Sequence, residues 1–134
     1  MADSTPERNV LEERHWVNNF LEPFKRLHPD ATTIEKAECI IFQIDTTPLQ
    51  WIRTSPALRE IVLKCADALR QFITRGETIL ATSRQIYTDA TDEAIRLNQF
   101  AERLSHLDAC QAEVQELESI LESAAKTLEY VEGI

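Results

Sequence analysis

Apolar side chains recur at helical spacing along almost the whole chain. At the start, Val10, Val17 and Phe24 repeat every seven residues, interleaved with Phe20 and Leu27. They make one stripe of a helix over residues 6–27. Pro23 lies inside that helix and is expected to kink or divide it. His28-Pro29-Asp30 reads as its stop. A second helix opens near Thr33, with Ile34, Ala37, Ile41 and Ile44 at helical spacing. Ile40 and Phe42 extend the apolar surface around most of its circumference, as in a central, buried helix. Residues 39–44 would also suit a buried strand, but no partner strand occurs elsewhere in the chain. Asp45-Thr46-Thr47-Pro48 closes this helix, and a short helical turn carrying Leu49, Trp51 and Ile52 follows.

Over residues 56–75 the pattern is cleanest. Leu58, Ile61, Val62, Cys65, Leu69, Phe72 and Ile73 fall on one half of a helix, and Arg59, Glu60, Lys64, Asp67, Arg70, Gln71 and Arg75 on the other. Gly76 is expected to stop it as a left-handed cap. Thr5-Pro6, Thr47-Pro48 and Ser55-Pro56 each suit a helix start. The hydroxyl accepts a free N–H there, and Pro at the first helical position has no N–H to leave unsatisfied. The same dipeptides would suit proline-directed phosphorylation of Thr5, Thr47 or Ser55, though capping already accounts for them.

Residues 77–132 contain no Pro and no Gly. Ile86, Ala90, Ala94, Leu97, Ala101 and Leu104 carry one stripe through a polar patch, which predicts a single long fourth helix. A break at residues 89–92, with Thr91 as N-cap, is the alternative. From Leu107 the stripe becomes a heptad. Leu107, Val114, Leu121 and Leu128 hold one position, and Cys110, Leu117, Ala124 and Val131 the position three later. Glu113, Glu116, Glu118, Glu122, Glu129 and Glu132 flank it, against a single base, Lys126.

The expected fold is therefore all-α: a helical bundle over residues 1–104, with three shorter helices packed on the long fourth, and a C-terminal coiled-coil extension over residues 105–134. A helix of about 55 residues would be about 80 Å long, and partners of about 20 residues cannot cover it. The exposed seam would then need a partner chain, either another copy or a different protein. Composition supports the fold class. Of 134 residues, 43% are hydrophobic and 28% charged, with only 2 Gly. That is too apolar for disorder and too poor in glycine for a β-rich fold or a phosphate-binding loop.

Charge narrows the partners. The chain carries a net −9, yet residues 50–76 hold five basic and two acidic side chains. Arg59, Lys64, Arg70 and Arg75 there form a face that would accept an acidic or phosphorylated peptide. Nucleic acid is disfavoured, because no stacking aromatics are interleaved with these bases. Three cysteines, Cys39, Cys65 and Cys110, sit in apolar patterns with no metal-finger spacing, which suggests reduced thiols in a cytosolic or nuclear setting. No basic-then-apolar leader and no apolar run of about 18 residues is present, so neither secretion nor a membrane partner is expected.

Catalytic chemistry has little to stand on. Glu12 and His15 form an E-x-x-H step, but a carboxylate-bridged metal centre needs two such steps, and Glu102 and His106 are four apart. No nucleophile–base–acid set is present. Trp16 and Trp51 read as packing residues. No metal, cofactor or catalytic role is assigned. The expected function is a non-enzymatic assembly or adaptor module that joins a complex through coiled-coil contacts. A reader of acidic peptides on the Arg59–Arg75 face is the alternative.

Overall fold

The computed structural model describes the backbone of residues 6–134 and the side chains of residues 11–134; the Thr5 cap and the Val10 side chain lie outside what is described. Five helices follow in order: α1 (Pro6–Arg26), α2 (Thr33–Thr46), α3 (Leu49–Thr54), α4 (Pro56–Arg96) and α5 (Phe100–Glu132). Among the described residues there is no strand.

Local chemistry sets most of the boundaries. Thr32 and Glu35 form a capping box at the start of α2. The Glu35 N–H donates to the Thr32 hydroxyl, and the Thr32 N–H donates to the Glu35 carboxylate, both at 3.1 Å. Ser55 caps α4 by accepting the Leu58 N–H at 3.0 Å, with Pro56 at the first helical position. Thr47 closes α2 instead of opening α3: its hydroxyl donates to the Gln43 carbonyl at 2.5 Å. Pro23 does not divide α1. The apolar stripe packs on both sides of it, with Phe20 and Phe24 rings 5.6 Å apart, and that packing outweighs the one missing backbone donor.

Two expectations about the second half are corrected. Gly76 does not end a helix; α4 runs through it without a positive φ. Its missing Cβ serves packing. A Cβ there would lie 2.6 Å from Cδ2 of Leu121, so glycine lets α5 approach α4 closely. Nor is residues 77–132 one helix. The chain turns at residues 97–99, beyond the alternative break at residues 89–92. Thr91 does not cap; its hydroxyl donates back to the Tyr87 carbonyl at 2.9 Å within the helix. The turn is a Schellman stop with Asn98 in the left-handed position, at φ 56°. The Gln99 N–H donates to the Ala94 carbonyl at 2.8 Å and the Asn98 N–H to the Ile95 carbonyl at 3.0 Å.

After the turn, α5 runs back antiparallel along α4. The register is fixed by Gly76 against Leu121, by Arg84–Glu118 at 2.9 Å and by Glu93–Arg103 at 3.7 Å. The segment expected to extend as a coiled coil is thus the returning arm of a hairpin. Its register is what the turn at Asn98 permits, and its heptad side chains find their cover in the same chain.

The shorter helices cover only the proximal end. Glu13 of α1 accepts the Ser55 hydroxyl at 2.6 Å and the Ala57 N–H at 2.9 Å, which docks α1 at the N-terminus of α4. Trp16 stacks on Trp51 of α3 at 5.3 Å. Gln43 of α2, buried, donates to the Phe20 carbonyl at 3.2 Å. Buried Thr127 of α5 donates to Asp45 of α2 at 3.0 Å. The other end of α2 lies near Glu113 and Glu116, so α2 runs parallel to α5 and antiparallel to α4. With 14 residues it spans about 21 Å, against about 50 Å for α5. The continuous core includes Phe20, Ile44, Ile52, Leu58, Leu69, Leu80, Leu117, Leu121 and Leu128. The distal arm, from about Glu77 to Glu113, is left with little besides the contact between α4 and α5.

Candidate functional site

The heptad positions expected to meet a partner face this chain's own helices. Leu107, Val114, Leu117, Leu121, Ala124, Leu128 and Val131 are buried, and Cys110 is half-buried. All but Leu107 and Cys110 belong to the core shared with α2 and α4. A stripe with this spacing serves an intramolecular hairpin as well as a coiled coil between chains.

The four basic positions are on the exposed side of α4, and three are engaged locally. The Arg59 guanidinium donates to the Arg53 carbonyl. Lys64 pairs with Glu60 at 3.5 Å and Arg70 with Asp67 at 2.5 Å. Of the four, only Arg75 has neither a side-chain hydrogen bond nor an ion pair among the described residues; it lines a cleft. No group of three or more His, Cys, Asp or Glu side chains that could hold a metal occurs among the described residues. No described helix is long and apolar enough to cross a membrane.

That cleft, of about 720 Å³, opens where α2 begins. Ile34 and Ala37 of α2, Phe72 and Gly76 of α4 and Leu117 of α5 give it apolar walls. Lys36 of α2, Arg75 of α4 and Glu113 and Glu116 of α5 add charged groups to its lining. Ile79 lines it too and is 56% exposed; Ile86, one heptad further along α4, is 55% exposed. Nearer the turn, Ile95, Leu97, Phe100 and Leu104 are exposed too. In the whole distal arm only Leu80, Ala94 and Leu107 are buried. The sequence held a signal for this surface: Phe72, Ile79 and Ile86 repeat every seven residues. Reading Gly76 as a stop cut that repeat in two.

Titratable groups are tuned by the packing at the proximal end. Hydrogen bonds from Ser55 and from the Ala57 N–H lower the Glu13 pKa. The backbone and hydroxyl of Thr32 do the same for Glu35. Burial pushes the Cys65 thiol up to about 11, with Cys39 nearby adding to it, and burial raises Cys39 as well. Both thiols are protonated at neutral pH. No protein-family model, curated protein or solved structure matches the chain.

Proposed function

We propose that this chain is a non-enzymatic assembly or adaptor module that joins a protein complex through helix–helix contacts, and that the distal arm of α4 and α5 is the part it offers. The observation that carries this reading is the exposure of Ile79, Ile86, Ile95, Phe100 and Leu104 on a projecting two-helix arm. Ile79 and Ile86, one heptad apart, share a face of α4, and exposed apolar side chains aligned in this way mark an interaction surface. Most of the heptad of α5 packs in the proximal core and is not what the arm offers. No cofactor, metal or catalytic group enters this reading, and the three free thiols suit the cytosol or nucleus. Reading acidic peptides on α4 has weaker support, since Arg59, Lys64 and Arg70 are already engaged.

A photo-crosslinking residue placed singly at Ile86, Leu104, Arg59 or Arg70 in cells tests the proposal. Ile86 and Leu104 should give discrete protein adducts and the two arginine positions none. Adducts confined to Arg59 and Arg70 would favour the reader instead, and no adducts on the arm would contradict the assembly role.

A further inference from the structure

We infer that the cleft at the start of α2, with the exposed apolar line that leads on from it along α4, receives a basic amphipathic helix of a different protein. This rests on the assembly reading and specifies its partner. α2 touches both α4 and α5 and stops at the Thr32 cap, at the cleft. Phe72 is buried at that point, and the apolar line leads on from it along α4 through Ile79 and Ile86, which are exposed. From Ile79 to Arg96 is 18 residues of helix, about 27 Å, which is room for about five turns of a helix laid end to end with α2.

Charge chooses the occupant. Residues 77–116 carry eight acidic and three basic side chains. Of those three, Arg84 is paired with Glu118 and Arg103 with Glu93, leaving Arg96 near the turn. Glu113 and Glu116, on the cleft wall, have no ionic partner among the described residues. Lys36 and Arg75 are the basic side chains that line the cleft itself. An incoming helix needs apolar residues at heptad spacing and Lys or Arg on its flanks. A second copy would bring the same acidic arm, acid against acid, so self-pairing in this groove is opposed.

The full chain can be titrated with two synthetic 21-residue peptides sharing one Leu/Ile heptad core, one flanked by Lys and Arg, the other by Glu. The basic peptide should bind at least about tenfold tighter, and weaken severalfold as salt rises through the screening range. The exposed pair Ile79→Ser/Ile86→Ser should weaken it by about tenfold or more. Ile95→Ser/Leu104→Ser should not, because Ile95 lies nine residues from Ile86, half a turn around the helix. Equal affinity for the two peptides, no binding, or loss only in the second variant would overturn the inference. So would self-association of the wild type that Ile79→Ser/Ile86→Ser abolishes, since that would give the groove to a second copy. Crosslinks at Leu104 without peptide binding would remove this inference and leave the assembly reading standing; no adducts anywhere on the arm would remove the assembly reading itself.

Discussion

At the scale of single residues, the Ser55 cap and the core positions of residues 56–75 were legible, whereas Thr47, Gly76 and the close contacts were not. Leu69 is fully buried and Arg70, next to it, is exposed, as the facial pattern of residues 56–75 requires. Leu69→Ala should cost about 2–5 kcal/mol. Arg70→Ala should change stability by less than about 0.5 kcal/mol. Chemical denaturation midpoints measure both. Gly76 shows the limit of local reading. A glycine after an apolar run suits a cap, but its real neighbour is Leu121, far along the chain. Gly76→Ala should gain about 1 kcal/mol in helix propensity and lose more by crowding buried Leu121, for a net destabilisation. Adding Leu121→Ala should then cost less than the two single effects together, which a double-mutant cycle reads. The Cys65 thiol sets an alkaline limit. Its pKa is near 9 when unfolded and about 11 when folded, so the neutral thiol's contribution is complete below pH 9 and is lost as pH rises through 11. Stability measured across that window should fall less steeply in Cys65→Ala.

At the scale of elements, the chain's helices were visible from periodicity, and the turn between α4 and α5 was not. Gly and Pro are the usual punctuation, and residues 77–132 have neither. Asn98 does the work instead, because a short polar side chain tolerates the left-handed conformation that most residues avoid. Asn98→Gly should hold or slightly raise stability. Asn98→Val should lower it by about 1–2 kcal/mol, since a β-branched side chain at positive φ is strained. Thermal midpoints of the two variants should therefore move apart, and equal midpoints would mean that the turn lies elsewhere.

At the scale of the whole molecule, the heptad of α5 was legible as a buried stripe, but its spacing does not say which chain buries it. That choice was hidden because it depends on Asn98 and Gly76 jointly: one turns the chain, the other lets the arms close. The candidate site followed from the same choice. Once α5 returns, its stripe is spent on the core, and the exposed residues become Ile79 and Ile86 on α4. Leu117→Glu/Leu121→Glu should accordingly abolish the cooperative thermal transition of the entire chain, because it places two carboxylates in the core that α1, α2 and α4 share. An extension independent of the rest would leave that transition intact.

The return of α5 along its own α4 is open to direct measurement by the distance between spin labels at Gln71 and Lys126, both exposed, in a chain whose native cysteines are replaced. Each lies five residues from the contact of Gly76 with Leu121, so packed antiparallel helices bring the labels to about 20 Å. One continuous helix would hold them about 80 Å apart. A distance near 20 Å that persists when labelled protein is diluted with an excess of unlabelled chain is the expected result. A distance near 80 Å, or a short one that vanishes on dilution because the arm pairs between chains, would contradict it.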